Sequence, residues 1–233
     1  MYIYLDNNIL IDYEDGKKRL PMNSETKYTY SYVHLLELQE LKDTFIEKKS
    51  QRLQTIKKAT QCRYILSDDK GKLALFEVDP SVIFSQINEP LAKMVQQTIH
   101  ERISLWPFDK NPKLLMDKLN IEKKIINNYT PNDLVKEYGY IIHNFIEETS
   151  NSTTDMFLSL FNILDALGYW QDKAKCGSSM NRIYDAKHAY FASFCDYFVT
   201  DDKNTKNKAN VAYKLFQNKT KAMSYEEFKN IFT

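Results

Sequence analysis

A chain of 233 residues, 43% hydrophobic and with a net charge of +1, can bury one substantial core, alone or with an elaboration. It is too nearly neutral to be a basic nucleic-acid scaffold or to carry an acidic tail. Three scattered cysteines (Cys62, Cys176, Cys195) with no CxxC pair exclude a disulfide framework and offer no zinc ligand set, and only 5 glycines and 6 prolines predict a helix-dominated fold.

Tyr2–Leu5 (YIYL) reads as a buried strand that stops on Asp6, with a helix or turn over Asn7–Asp12 packing Ile9, Leu10 and Ile11 back. Lys27–Tyr30 is a second, weaker strand, and Ser31 is placed to cap the helix after it. The run YVHLLELQELKDTFIEKKSQRLQTIKKA predicts one long helix with a solvated face of Lys48, Lys49, Arg52, Lys57 and Lys58. Cys62–Leu66 and Leu73–Val78, around the SDDKG turn, read as short strands or helix ends.

From 90 to 175 the texture is helical, in PLAKMVQQTIHERISLW, PNDLVKEYGYIIHNFIEE and TTDMFLSLFNILDALGYW, with connections over Ser104–Lys113, Asn127–Asn132 and Thr149–Thr153. The aromatics there, Tyr138, Tyr140, Phe145, Phe157, Phe161, Tyr169 and Trp170, recur at helical spacing and read as core. The last stretch returns to alternation: a helix over SMNRIYDAKHAYFASFC, a strand DYFVT, a helix over Lys206–Gln217, and Ser224 with Glu227 three residues on in capping-box spacing. Strands alternating with helices imply a parallel sheet. The first charge arrives at Asp6 and no apolar run is long enough to span a bilayer, so no leader and no membrane are expected and the cytoplasm is the default compartment.

Four acids sit where chemistry is expected. Asp6 and the Asp201–Asp202 pair follow strands, the place where parallel sheets hold their ligands. Glu37 lies on the Val33–Glu37–Leu41 face of an apolar helix, and Asp185 early in a helix that is apolar nearly all round. Each has an ordinary reading too: turn aspartate, edge glutamate, helix-dipole partner. Gathered together they would raise one another's pKa unless a divalent cation neutralised them. Oxygen-only ligands suit Mg²⁺ or Mn²⁺, the kit for phosphodiester hydrolysis. Lys203, Lys206, Lys208, Lys214, Lys219 and Lys221, with no acid among them up to Tyr225, offer a phosphate track or a solvated face. Arg182 and Lys187 flank Asp185 in the same sense, and His188 one turn along is a packed histidine or a group near phosphate. His100 and His143 read as structural or exposed.

In order, the segments YIYLDNNILID, SYVHLLELQ, YDAKHAYFASFCDYFVTDD and SYEEF resemble the PIN-domain family of metal-dependent nucleases. The resemblance covers the first half of the core and about the last fifty residues. It implies a PIN-like α/β three-layer sandwich with a central, mainly parallel sheet, built from 1–89 and 176–233, with 90–175 as a helical insertion. It implies Mg²⁺ or Mn²⁺ held by Asp6, Glu37, Asp185 and Asp202, with Asp201 sharing or replacing the last of these. Asn8 matches the small polar residue two after the first acid, and Thr200 the threonine of the T-x-D strand end. Arg182, Lys187, Lys203, Lys206 and Lys208 would then face nucleic acid. The implied activity is hydrolysis of RNA, or less often DNA, leaving a 5′-phosphate, with a protein partner, an inhibitor or a second copy of the chain as further partner classes. Two departures stand out: His34 occupies a position that is usually small or hydroxylated, and the chain is longer than the compact toxin members. A PIN-like binding module without catalysis, a phosphohydrolase using Asp6 as nucleophile (its usual second acid replaced by Asn8), and a helical scaffold remain the competing readings.

Overall fold

The computed structural model describes residues 1–21, 25–68, 71–87, 111–122, 127–172 and 178–232, with the backbone alone at 43 and 178–180. The expected helix PLAKMVQQTIHERISLW, His100 within it, and Cys176 lie outside the described residues. The described chain is α/β: six strands and ten α-helices, in two compact units. One unit comprises Met1–Gln96, Phe191–Asp201 and Thr220–Thr233, the other Gln97–Tyr190 and Asp202–Lys219. The sequence divides the chain at 90 and 175. In the compact units, Gln97–Tyr190 and Asp202–Lys219 fall together.

The first unit holds the whole sheet. Its strands are β1 (Tyr2–Leu5), β2 (Lys27–Ser31), β3 (Arg63–Ser67), β4 (Leu73–Glu77), β5 (Tyr197–Val199) and β6 (Lys221–Met223), in the order β4-β3-β2-β1-β5-β6. All neighbours are parallel except β3 and β4. Successive strands run outward from β1 on one side, and the chain then returns to β5 and β6 on the other. The order therefore reverses between β1 and β5, which makes their carboxyl ends the topological switch point. Ile3, Tyr4, Leu5, Phe198 and Val199 are fully buried, as the near-continuous apolar runs of central parallel strands require.

Local chemistry starts several of the helices. Asp6 caps α1 (Asn7–Glu14) by accepting from the Asn7 amide. Ser31 caps α2 (Tyr32–Gln39) by accepting from Val33, as its position predicts, and the His34 ring closes the box on the Ser31 amide. The expected single helix over 32–59 is broken. After Gln39 the chain passes an extended Lys42 and a 3₁₀ turn, Asp43–Phe45, before α3 (Ile46–Thr60) begins. The supposed solvated lysine face of α3 is in part a packing face. Arg52 is buried, with Nε and Nη2 donating to Glu14 of α1 at 2.7 and 3.2 Å, and Lys49 is buried beside it in sequence register. Bidentate pairing is what makes an arginine tolerable there.

Asp79 caps α4 (Pro80–Gln86), whose Pro80 fills the first-turn position where its missing N–H costs nothing. The Asp79 carboxylate accepts from Ser81 and pairs with Lys57 at 2.6 Å. The hydrogen bond from Lys57, then those from Ser81, push its pKa down to about 2. A depressed carboxylate stabilises the fold above its unfolded pKa of about 3.9 and loses that contribution as pH falls through about 2. Because the pair is partly exposed, the loss is at most about 1 kcal/mol. A carboxyl-detected NMR titration should place the Asp79 midpoint near 2; a midpoint at the ordinary aspartate value would refute the pair.

The second unit, described by itself, is helical: α5 (Pro112–Lys118), α6 (Pro131–Thr149), α7 (Thr153–Ala166), most of α8 (Ser178–Ala192) and α9 (Lys203–Leu215). Thr130 and Ser152 cap α6 and α7. Phe157 packs its ring against Tyr190, Tyr213 and Phe216 at centroid distances of 5.7, 6.3 and 5.0 Å. Phe145, Phe161 and Tyr169 are buried as the helical spacing predicts, while Tyr140 is 79% exposed. At Gly139 a Cβ would meet its own helix's Val135 at 3.0 Å and Leu215 of α9 at 3.4 Å, so the tight neighbour lies on α6 itself. In the first unit, Ser224 and Glu227 form the expected reciprocal cap of α10 (Tyr225–Phe232). Among the described residues no helix is long and apolar enough to cross a membrane.

Candidate functional site

Asp6 stands at the switch point, on the last turn out of β1. Its own amide extends the ladder by donating to Val199 of β5 at 2.9 Å. The carboxylate is 7% exposed, so its charge must be met by hydrogen bonds. Oδ1 accepts from the Asn7 amide at 2.7 Å; Oδ2 accepts from the Thr200 hydroxyl at 2.6 Å and from Asn8 Nδ2 at 2.9 Å. Thr200 is fully buried and follows β5 directly. Asn7 then links two acids, since its Nδ2 donates to Glu37 Oε2 at 2.5 Å. The first unit thus brings Asp6, Asn8, Thr200 and Glu37 into one connected set, although β1, α2 and the end of β5 are far apart in sequence.

His34, the departure from the expected small residue, has a structural explanation. Its Nδ1 accepts from the Ser31 amide at 3.1 Å, which leaves the proton on Nε2 to donate to the Leu5 carbonyl at 2.8 Å. The ring therefore fixes the peptide that carries Asp6. Tyr4 lies against it, its hydroxyl 2.6 Å from Ser31 Oγ, and burial, with the charges of Glu37 and Asp6 adding, holds that phenol well above its usual pKa.

Asp201 makes two ties within the first unit. Oδ1 accepts from the Tyr225 amide at 2.9 Å and Oδ2 pairs with Lys18 at 2.5 Å. Burial pulls the Lys18 ammonium down, but its hydrogen bonds to Asp12 and Asp201 outweigh this and leave its pKa raised. Asp201 therefore ties the loop after α1 to the last helix.

In the second unit, Asp202 is exposed and caps α9, its Oδ1 accepting from the Asn204 and Thr205 amides at 2.7 and 2.9 Å. Asp185 is half-buried on α8, not enclosed as the apolar periodicity predicts, and Lys187 is half-buried two residues on; His188 is buried. Two of the cations expected to meet phosphate are interior groups. Lys208 is 1% exposed, its Nζ 2.8 Å from Asp165 and 2.9 Å from Asp172, and Arg182 is buried with Nη1 3.4 Å from the other oxygen of Asp165. Asn204 also donates to Asp172 at 2.8 Å. A buried ammonium needs such partners, and the sequence hides them because they lie 36 and 43 residues away. Lys203, Lys214, Lys219 and Lys221 are exposed and Lys206 is half-buried.

Among the described residues no group of three or more His, Cys, Asp or Glu side chains is arranged to hold a metal ion. The first unit instead supplies two oxygen donors, Asp6 and Glu37, bridged by Asn7. One or two carboxylates, completed by water and substrate oxygens, is the usual protein share of a Mg²⁺ site. A second observation fits a cation. Asn8 Oδ1 is a buried carbonyl oxygen with no hydrogen-bond donor among the described residues, although its amide nitrogen is held by Asp6. An acceptor left so is costly, and a cation or its bound water would satisfy it. Thr200 and Asn8 fix the direction of the Asp6 carboxylate, the kind of outer support that a ligating carboxylate needs.

Beside this set lies a pocket of about 90 Å³. Ile11, Leu38 and Leu41 give it apolar walls, and Asn7, His34, Glu37 and Arg52 its polar ones. Sequence reasoning missed Asn7 and Arg52 as parts of the site. The only signal for Arg52 is its spacing: with Lys49, Ile56 and Ala59 it falls on one face of α3. Cys195 is buried with its thiol pushed up to about 12 by burial, and a thiol so placed is inert. No protein-family model, no curated protein and no solved structure matches the chain.

Proposed function

We propose that the chain is a metal-dependent nuclease, an endoribonuclease first and a deoxyribonuclease second, on a PIN-like three-layer scaffold. One observation carries the reading: a buried carboxylate, Asp6, sits at the topological switch point of a parallel sheet, gripped by three hydrogen bonds and joined through Asn7 to a second carboxylate, Glu37. Asp6 and Glu37 would hold Mg²⁺ or Mn²⁺, with Asn8 Oδ1 facing the ion or its water. The ion would supply charge for the phosphate oxygens and a more acidic water. Asp185 and Asp202 join the assignment through the resemblance of their segments.

Thr200 and Asn8 fix the direction of the Asp6 carboxylate, and His34 fixes the peptide behind it. In the reaction, water adds to phosphorus and the bond from phosphorus to the 3′ oxygen breaks. Glu37, steadied by Asn7, takes a proton from the water, and the departing 3′ oxygen gains one from solvent. The products are a 3′ hydroxyl and a 5′-phosphate. Lys203, Lys206 and Lys187 are the remaining cations assigned to the polyanion.

The absence of a three-acid group among the described residues favours the second reading, a PIN-like binding module without catalysis. The two separate in one assay: labelled single-stranded RNA and DNA incubated with the protein in Mg²⁺, in Mn²⁺ and in chelator. Metal-dependent fragments ending in 5′-phosphate are expected, from RNA above DNA. Intact substrate in every metal condition would overturn the nuclease and leave the binding module.

A further inference from the structure

We infer that the pocket beside Glu37 is a subsite for one unpaired pyrimidine base, so that the chain reads the nucleotide next to the bond it cuts; this rests on the nuclease reading for its substrate class. The pocket is small, about 90 Å³ against the roughly 300–1,000 Å³ of ordinary small-molecule sites. A space so small against that range favours a one-ring base over a two-ring one. Its chemistry is that of a flat heterocycle: Ile11, Leu38 and Leu41 meet the faces, and the polar groups meet the edge.

Those polar groups are still available. Arg52 uses Nε and Nη2 on Glu14, which leaves Nη1 without an acceptor among the described residues. Asn7 uses its amide hydrogens on Glu37, which leaves its carbonyl oxygen without a donor there. A donor and an acceptor in one small apolar pocket match the edge of a nucleobase, and the small volume favours cytosine or uracil among them. The subsite also adjoins the reaction centre covalently, because Asn7 follows Asp6. A base can enter it only from a strand that is single and locally unstacked.

The test is calorimetry of cytidine and uridine 5′-monophosphates, adenosine 5′-monophosphate and ribose 5-phosphate, on the full chain in Mn²⁺. Ribose 5-phosphate subtracts whatever the metal and phosphate contribute. Pyrimidine nucleotides should bind on the order of tenfold tighter than ribose 5-phosphate, the scale of one stacked base. Leu41→Trp, which fills the pocket while both Asp6 and Glu37 are kept, should abolish that difference. In the wild type, the methyl resonances of Ile11, Leu38 and Leu41 should shift on adding cytidine 5′-monophosphate, a measurement that stands even if the variant folds poorly. Equal binding of cytidine 5′-monophosphate and ribose 5-phosphate, equal binding of adenosine 5′-monophosphate, or silent methyls would each overturn the subsite. Leu41-dependent binding in a protein that cuts no RNA would remove the nuclease and leave the pocket. Cleavage without base-dependent binding would remove the pocket alone.

Discussion

Asp6→Asn is expected to lower metal-dependent RNA cleavage by on the order of a thousandfold while leaving the protein folded. The reasoning separates charge from hydrogen bonding. Cation stabilisation of a phosphoryl transition state amounts to several kcal/mol, and each 1.4 kcal/mol is about tenfold in rate, so losing the central negative charge has a large kinetic effect. The fold loses little. Asparagine caps a helix as well as aspartate, so the bond from the Asn7 amide survives. On the other oxygen, the Thr200 hydroxyl can turn from donor to acceptor. Asn8 can flip its amide and present the Oδ1 that now lacks a donor among the described residues. The cost is about 1 kcal/mol or less. Cleavage rate and urea midpoint measured on the same preparation check both halves. A variant that cuts at the wild-type rate would remove Asp6 from the site. One that fails to fold would make Asp6 a structural cap.

The parts of this site that were legible in the sequence are those whose cause is local. YIYLD announces a buried strand with an acid at its end, and Ser31 announces a cap, because alternation and capping need only a few neighbouring residues. The Asp79–Pro80 pair carries the same kind of signal for α4, cap then proline, just beyond the Leu73–Val78 stretch. β6 was not legible: three residues, Lys221–Met223, become a strand only because β5 offers an open parallel edge. The break after Gln39 was hidden for the opposite reason. The helical periodicity runs on through Lys42 and Phe45, and only the packing of α3 on α1 through Arg52 and Glu14 shows that the chain turns there. Asn7 was overlooked because the residue type says nothing; its role exists only once β1 and α2 place Asp6 and Glu37 on either side of it.

The same blindness to distant partners decides the second large effect. A lysine in a run of lysines reads as a phosphate contact, yet Lys208→Ala is expected to destabilise the protein by about 3 kcal/mol, in the range for one partner removed from a buried pair. The ammonium lies between Asp165 and Asp172, and its removal leaves the buried Asp165 and the half-buried Asp172 without it. Arg182 still meets Asp165 and Asn204 still meets Asp172, which keeps the loss toward the lower end. For a chain of this size that is a fall of roughly 6–12 °C in Tm. Lys208→Met should do no better, since the missing quantity is charge and not volume. Adding Asp172→Asn to Lys208→Met should recover part of the loss by removing one of the stranded charges. Lys203→Ala, on an exposed residue of the same helix, should stay within about 0.5 kcal/mol of wild type, and if Lys203 meets the backbone of bound RNA it should instead flatten the salt dependence of binding by about one phosphate contact. The opposite pattern, an unchanged Tm for Lys208→Ala with weakened RNA binding, would return Lys208 to the surface and dismantle the buried network.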